Sequence, residues 1–284
     1  MKTKKPVTFR IMGRVARALT FVSPNLAARW LERMFVTPMK YRISDREKDL
    51  MCGAESWRIL VDAKRSIPLY SWGSGPTILL VHGLSGRGSQ MGHFVRPLLD
   101  RGFRVVAFDA PAHGSADGKQ TAPPDMASAL DRVAQELGPI DGCIAHSAGA
   151  AATTISLSRG MECKRVVYIS PPDDLRGYLV RLSDFMGFSE AVCNKTQKRV
   201  EKRYKVAFEA LRGSKLVACM SVPALIIHDQ YDAMVPFEEG QTLARLWPGA
   251  SLMETQGLGH SRILRDKKVI AAGVEYLSTG RETA

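Results

Sequence analysis

Sequence patterns that mark several classes of protein are missing from this 284-residue chain. No apolar run approaches the ~20 residues that a membrane-spanning helix needs. Neither a G-x-x-x-x-G-K-S/T loop nor a G-x-G-x-x-G loop occurs, because Gly83, Gly86 and Gly88 have the wrong spacing for both. The six histidines form no H-E-x-x-H motif and no close pair. We therefore predict no nucleotide cofactor and no metal.

Cysteine is scarce as well. The chain has five cysteines and no C-x-x-C pair, at Cys52, Cys143, Cys163, Cys193 and Cys219. An odd number without paired spacing predicts reduced thiols and favours the cytoplasm. Cys143 lies in an apolar run, which favours a small core residue over a second nucleophile.

Acidic residues are outnumbered, with 28 Asp and Glu against 40 Lys and Arg and a net charge of +12. Such an excess raises nucleic acid as a partner, because dense basic residues neutralise phosphates. The sequence has no zinc-finger spacing, no aromatic RNA-binding signature and no strong recognition-helix pattern. Nucleic acid is therefore not predicted as a partner, and the oligomeric state is left open.

The first 50 residues are expected to form a basic helical extension. Met1 to Lys5 resembles the start of a signal peptide, but Arg10, Arg14 and Arg17 interrupt the apolar segment that export would need. Two short amphipathic helices are predicted instead, at 9–19 and 24–35, with the second capped at Ser23. These helices either pack on the catalytic domain or attach peripherally to an anionic membrane surface, such as the inner face of the membrane.

Strand and helix patterns alternate through the rest of the chain and predict an α/β fold with a mostly parallel sheet covered on both faces. Two opening antiparallel strands are expected at 58–61 and 69–72, and six parallel strands near Thr77, Arg104, Gly142, Val166, Ala224 and Ser251. Helices are expected near 91–101, 125–137, 147–159, 237–247 and 262–277. The interval from about 171 to 222 is too long for an ordinary crossover, so it is assigned as an inserted helical cap.

Ser147 is the candidate nucleophile. It lies in Ala145-His146-Ser147-Ala148-Gly149, between an apolar strand pattern and a run of small residues typical of a helix. A sharp strand-turn-helix connection exposes a serine hydroxyl at its tip and lets a base approach it. Ala145 replaces the first glycine of the usual G-x-S-x-G pattern, which is a mild departure.

A carboxylate and a histidine follow later strands in the order that such a nucleophile needs. Asp232 comes after the strand at Ala224, and His260 comes after the strand at Ser251. Because parallel strands end at one edge of a sheet, Ser147, Asp232 and His260 are expected to meet there. Asp229, three residues earlier and closer to the end of the strand, is the competing acid.

The combined motifs resemble the α/β-hydrolase superfamily over roughly residues 67–277. Val81-His82-Gly83-Leu84 is similar to the family's oxyanion loop, and the segment 109–115 is similar to its D-x-P-x-H-G turn, which we interpret as scaffold. The resemblance implies an eight-stranded sheet and a core formed by 51–170 and 222–284, with a cap at 171–221. It also implies oxyanion donors at the backbone N–H groups of Leu84 and Ala148. The family pattern of a strand, a short turn and Asp-x-x-Val-Pro matches Asp232 with Val235 and Pro236, so the resemblance favours Asp232 over Asp229 as the acid.

Two features near the predicted site allow more than one interpretation. His82 and His146 either line the site or orient the turns that carry it. The basic residues of the cap either cover a solvated helix face or point inward toward an acidic substrate; they are Lys195, Lys198, Arg199, Lys202, Arg203 and Lys205. The apolar cap residues fit an acyl pocket or a cap core, namely Leu179, Leu182, Phe185, Met186 and Phe188.

The function predicted from these motifs is a serine hydrolase acting on a small-molecule carboxylic ester or thioester, without a cofactor. An acyltransferase or cofactor-free perhydrolase would use the same three side chains, and the sequence does not separate these from a hydrolase. A non-catalytic ligand-binding protein is disfavoured because Ser147, Asp232 and His260 are all present. The acyl chain and leaving group are not specified by the sequence.

Overall fold

The computed structural model describes residues 7–279, with side chains from Met12 onward. The chain divides into two compact units. Residues 7–37 together with 174–212 form the helical unit, and residues 38–173 together with 213–279 form the sheet unit. The segment Met1 to Lys5, compared above with a signal peptide, lies outside the described residues.

The sheet unit contains eight strands in one sheet, with the order β1-β2-β4-β3-β5-β6-β7-β8. The strands are β1 Glu55–Leu60, β2 Ser66–Trp72, β3 Thr77–Val81, β4 Arg104–Phe108, β5 Gly142–His146, β6 Val166–Ile169, β7 Ala224–Asp229 and β8 Ala250–Thr255. Strand β2 pairs antiparallel with β1 and β4, and β3 to β8 are parallel. The predicted α/β fold with a mostly parallel eight-stranded sheet is confirmed.

Helices account for most of the remaining described residues. Those of the helical unit are α1 Val7–Val22, α2 Pro24–Val36, α7 Leu175–Met186 and α8 Glu190–Tyr204. Those of the sheet unit are α3 Asp45–Cys52, α4 Val95–Leu99, α5 Pro123–Leu137, α6 Ala148–Ser158, α9 Gly213–Val217, α10 Phe237–Leu246, α11 Gly259–Arg262 and α12 Lys267–Ser278. None of the helices in residues 7–279 is long and apolar enough to cross a bilayer.

The central strands explain where the site forms. Every residue of β3, β5, β6 and β7 is buried, as expected for parallel strands covered by helices on both faces. Parallel strands end at the same edge, so the loops after β5, β7 and β8 emerge together. In open α/β sheets this carboxyl edge is where ligands bind.

Two predicted helices have different bounds in the structure. The helix expected at 262–277 begins later, at Lys267, because the Asp266 side chain accepts hydrogen bonds from the N–H groups of Lys268 and Val269 and starts α12 there. The residues before it form α11 and a 3₁₀ turn, Ile263–Arg265. The helix expected at 91–101 is a 3₁₀ helix, Gly88–Phe94, followed by the short α4. Gly92 lies in this 3₁₀ segment against the Leu50 side chain, whose methyl end would have to shift to admit a Cβ.

The helical unit joins two segments that are far apart in sequence. Helix α1 approaches α7 closely at Gly13, where a Cβ would lie 3.4 Å from the carbonyl oxygen of Met186. Ser23 caps α2, as predicted. The buried carboxylate of Glu32 on α2 pairs with Arg199 and Arg203 on α8, with Nε to oxygen distances of 2.6 and 3.1 Å. The N-terminal helices thus form one unit with α7 and α8, and the sheet unit begins at Pro38. The ranges predicted from the sequence were 1–50 for the N-terminal extension and 171–221 for the cap.

Cys143 and several apolar residues in and just after α7 are buried. All five cysteines are unpaired, and Cys143 is fully buried in β5, where burial raises the pKa of its thiol well above the ordinary value of 9.0. Leu179, Met186 and Phe188 are buried, whereas Phe185 is exposed. Leu179, Met186 and Phe188 therefore belong to the core of the helical unit.

Candidate active site

Ser147 stands between β5 and α6 with a backbone that few residues adopt. Its φ of 51° and ψ of −123° lie in a sparsely populated region, which costs on the order of 1–3 kcal/mol for a residue with a Cβ. The Ser147 N–H donates to the carbonyl oxygen of Ile169 at 3.0 Å, and its own carbonyl accepts from Ala150 N–H at 2.8 Å. These bonds hold the turn and place the hydroxyl at the carboxyl edge of the sheet.

The turn requires close approach of α6 to the end of β3. A Cβ at Gly149 would lie 2.5 Å from the carbonyl oxygen of His82 and 2.7 Å from that of Val81, so only glycine fits. A Cβ at Gly83 would lie 3.0 Å from the Cβ of Ser147, which shows that the loop after β3 passes beside the nucleophile position. Ala145 is fully buried in β5, so the missing first glycine of the pattern is accommodated.

His260 links the hydroxyl of Ser147 to the carboxylate of Asp232. Its Nε2 lies 3.0 Å from Ser147 Oγ, and its Nδ1 lies 2.7 Å from Asp232 Oδ2. Because a carboxylate only accepts, Nδ1 carries the proton and Nε2 presents its lone pair to the serine. The structure thus brings together the three side chains that the sequence singled out.

Asp232 is held in its charged form. Burial of the carboxylate by itself raises the pKa of Asp232, but the rings of His228 and His260 and the N–H group of Val235 favour the anion more strongly. The pKa therefore lies far below the ordinary value of 3.8. Oδ1 accepts hydrogen bonds from Met234 N–H and Val235 N–H at 2.8 and 3.0 Å. Oδ2 faces His260 Nδ1 at 2.7 Å, with His228 Nε2 farther away at 3.6 Å.

Asp229, the competing acid, faces its own loop. Its carboxylate accepts from the Thr255 hydroxyl at 2.8 Å and from the N–H groups of Tyr231 and Leu258 at 3.0 and 2.9 Å. Burial of Asp229 alone raises its pKa, but these hydrogen bonds lower it below 3.8. Asp229 thus fixes the loops that carry Asp232 and His260, whereas Asp232 contacts the imidazole.

His146 supports the backbone of the histidine loop. Its Nε2–H donates to the carbonyl oxygen of His260 at 2.9 Å, and the two rings lie 4.8 Å apart. Burial, with the nearby charge of His260, lowers the pKa of His146 to about 3, so the ring is neutral at physiological pH. This contact supports the interpretation in which His146 orients a turn.

Two further neutral histidines, His82 and His113, hold the loop that contains the predicted donor Leu84. His82 accepts from Ala110 N–H at 3.0 Å, and His113 accepts from Ser85 N–H at 2.9 Å. Burial lowers the pKa of His82 to about 4 and that of His113 to about 3, which keeps both rings available as acceptors. The segment 109–115 therefore acts as scaffold through a contact that the sequence did not reveal. His113 holds the backbone of Ser85, which has a φ of 62°.

The predicted oxyanion donors follow residues that lie side by side. Leu84 comes after Gly83, and Ala148 comes after Ser147, whose Cβ would lie 3.0 Å from a Cβ at Gly83. Ala148 is the first residue of α6, where backbone N–H groups have no partner within the helix. The assignment of these two N–H groups as donors stays a prediction.

A buried ion pair fastens the same loop region to α3. The Arg87 guanidinium donates to both carboxylate oxygens of Glu47 at 2.8 and 3.0 Å and to the carbonyl oxygens of Tyr41 and Arg42. Only 8% of the Arg87 side chain and 15% of the Glu47 side chain are exposed. Burial alone raises the pKa of Glu47, but the hydrogen bonds from Arg87, Ser44 and Ser89 lower it to about 2.

Replacing Glu47 by glutamine is expected to reduce the free energy of unfolding at pH 7 by about 3 kcal/mol, because Arg87 is left as an unpaired buried charge. A folded-state pKa below the ordinary 4.5 means that the stabilisation is complete above pH 4.5 and is lost as the pH falls toward 2. Urea unfolding of both proteins at pH 7, 4.5 and 3 measures the difference, which should shrink with acidification.

The matched control is Glu275→Gln, which breaks the exposed pair with Arg101. Surface pairs contribute about 0–1 kcal/mol, so this change should have little effect at any pH. Equal losses in the two variants, or a loss in Glu47→Gln that does not depend on pH, would contradict a role for the buried pair.

Comparison with known proteins agrees with this fold. The sequence profile of a family described as "Alpha/beta hydrolase family" matches residues 78–272. A proline iminopeptidase of Xylella fastidiosa is 36% identical over 58 residues. That match covers 20% of this chain and only 18% of the relative.

Solved structures with the same fold include an esterase and a bromoperoxidase. An esterase of Pyrococcus furiosus, Pf2001, is 23% identical, with 85% of this chain and 97% of that chain covered and a TM-score of 0.65. A bromoperoxidase from Bacillus anthracis is 17% identical, with 78% and 99% covered and a TM-score of 0.63. At these identities the likeness concerns the fold.

Proposed function

The chain belongs to the alpha/beta hydrolase family, and on that premise we propose that it is a serine hydrolase that cleaves a carboxylic ester or thioester through an acyl-enzyme intermediate. The observation that carries the proposal is the hydrogen-bonded series from Ser147 Oγ through His260 to Asp232. The strained backbone of Ser147 supports it, because such strain is concentrated at functional sites.

In the first half of the reaction, Ser147 Oγ attacks the carbonyl carbon while its proton passes to His260 Nε2. The imidazolium that forms is stabilised by the Asp232 carboxylate on the opposite ring nitrogen. The N–H groups of Leu84 and Ala148 receive the negative charge that develops on the carbonyl oxygen, and each such donor contributes on the order of 10²–10³ in rate. His260 then gives the proton to the departing alcohol or thiol.

In the second half, His260 takes a proton from a water molecule, whose oxygen attacks the acyl carbon bound to Ser147. The tetrahedral species collapses, the carboxylic acid leaves, and the proton returns from His260 to Ser147 Oγ. The neutral ring of His146, 4.8 Å from that of His260, adds no positive charge beside the imidazolium that forms during each half of the reaction.

The proposal is tested with a fluorophosphonate probe, followed by intact-mass measurement and peptide mapping. We expect an adduct on Ser147 of the wild type and no adduct in Ser147→Ala. Ser170→Ala is a matched control, because Ser170 follows β6 with a φ of 49° at the same edge of the sheet. It should still be labelled at Ser147.

A folded wild type that stays unlabelled would contradict the proposal and favour a ligand-binding protein. If Ser147 is labelled, esters and thioesters of graded acyl length identify the substrate class. Products formed with added alcohol or hydrogen peroxide then show whether water is the acceptor, as proposed, or whether the protein is an acyltransferase or perhydrolase.

A further inference from the structure

The positive charge of the chain is concentrated in the helical unit. Its described residues, 7–37 and 174–212, include 14 basic and 6 acidic residues, a net charge of +8. The described residues of the sheet unit, 38–173 and 213–279, include 22 basic and 21 acidic residues, a net charge of +1. The excess that would attract an anionic partner is therefore a property of the helical unit.

Helix α8 presents a face of lysines. Three of them lie within the helix at spacings of three and four residues, which places them on one side: Lys195, Lys198 and Lys202. Lys205 is the residue that ends the helix, directly after Tyr204. All four are exposed. No carboxylate among the described residues pairs with Lys198, Lys202 or Lys205, whereas Arg199 and Arg203 are bound to Glu32. The lysines are thus available to an external anion.

An apolar patch lies at the turn between α1 and α2. Phe21 is 86% exposed, Val22 is 83% exposed and Leu26 is 52% exposed. The Nζ of Lys195 donates to Asn25 Oδ1 at 2.8 Å, so the first lysine of the α8 face lies at this same turn. Large apolar side chains exposed together beside basic residues are characteristic of a surface that binds a partner.

We propose that the helical unit binds the surface of an anionic lipid bilayer. Phe21, Val22 and Leu26 enter the boundary between headgroups and acyl chains, and the lysine face of α8 lies against the lipid phosphates. Each basic residue near an anionic surface adds attraction, and the apolar side chains add area buried in the interface. A nucleic acid would use the lysines but has no comparable place for the aliphatic side chains, so the bilayer fits the whole patch better.

The test is sedimentation of the full-length protein with vesicles of diether phosphatidylcholine, with and without 30% diether phosphatidylglycerol. Ether-linked lipids lack acyl esters, so the hydrolase activity proposed above cannot change the vesicles. We expect binding to the anionic vesicles only. Lys198→Glu with Lys202→Glu should lower the partition coefficient more than tenfold, and Phe21→Ser should lower it about tenfold.

Matched controls lie on the sheet unit. Lys267→Glu with Lys268→Glu makes the same change in net charge on exposed positions of α12, and Leu60→Ser removes an exposed apolar side chain from β1. Both controls should bind within twofold of the wild type. Circular dichroism checks that every variant is folded.

Three results would overturn the proposal. The first is absence of binding to anionic vesicles, and the second is an equal loss of binding in the sheet-unit controls. The third is a Phe21→Ser protein that binds like the wild type while a duplex oligonucleotide, at equal phosphate concentration, displaces the protein from vesicles. That outcome would identify the lysine face as a polyanion site without insertion into lipid.

Discussion

Replacement of Asp232 by asparagine should lower kcat/KM by about four orders of magnitude, with the fold intact. The reason is the direction of the hydrogen bond to His260. Oδ1 of Asp232 is committed to the N–H groups of Met234 and Val235, so the amide nitrogen of asparagine takes the position of Oδ2, which faces His260 Nδ1 at 2.7 Å. An amide nitrogen donates, so His260 Nδ1 must accept and the proton moves to Nε2. His260 then has no lone pair with which to remove the proton of Ser147.

The measurement is steady-state kinetics on the fastest substrate found in the proposed screen of esters and thioesters, with fluorophosphonate labelling as a second readout. Asp229→Asn is the matched control. It disturbs the carboxylate that holds Tyr231, Thr255 and Leu258, so it should lower the free energy of unfolding but reduce kcat/KM by less than about tenfold. If Asp229→Asn loses the activity and Asp232→Asn keeps it, the assignment of Asp232 is wrong.

Gly149→Ala should destabilise the protein by about 3 kcal/mol, a large effect for the addition of one methyl group. The new Cβ would lie 2.5 and 2.7 Å from the carbonyl oxygens of His82 and Val81, which are backbone atoms and cannot rotate away. Relief requires α6 to move from the end of β3, and this movement would separate Ala148 from the loop that contains Leu84. Urea unfolding measures the loss of stability, and fluorophosphonate labelling at low denaturant measures the loss of the site.

Gly273→Ala is the control for the glycine substitution. Gly273 lies within α12, and a Cβ there would meet Val167 and Phe94 at 3.5 and 3.7 Å, which is ordinary van der Waals contact. Alanine favours a helix by about 1 kcal/mol relative to glycine, so this variant should be as stable as the wild type or more stable. A stable, normally labelled Gly149→Ala protein would show that the close approach of α6 to β3 is not required.

The meeting of Ser147, Asp232 and His260 could be predicted from the sequence because each position is set by local rules and by one topological rule. Ser147 lies in a strand-turn-helix connection that small residues permit, and Asp232 and His260 follow parallel strands that end at the same edge. Those rules bring the three side chains together without knowledge of any long-range packing. The hydrogen bonds of His113 and His146 were not predicted, because their partners are backbone groups of Ser85 and His260, 28 and 114 residues away.

The grouping of α1 and α2 with α7 and α8 was also beyond the sequence. The basic residues of α8 read as a solvated or substrate-binding face, but Arg199 and Arg203 are used to neutralise Glu32, which is 167 residues from Arg199. A single acidic residue in a basic segment gives no signal of its partner. The same holds for Glu47. Its role in the capping box of α3 can be predicted from neighbouring residues, but its buried ion pair with Arg87 cannot.

The backbone conformation of Ser147 also limits which side chains can replace serine at this position. Threonine also carries a hydroxyl, but its branched Cβ is strongly disfavoured at a φ of 51°. The substitution that is chemically closest to serine is therefore sterically unfavourable here. Cysteine has an unbranched Cβ and meets no such barrier. The main chain at this position therefore accommodates a thiol more readily than a secondary alcohol, whatever the relative reactivity of the two groups.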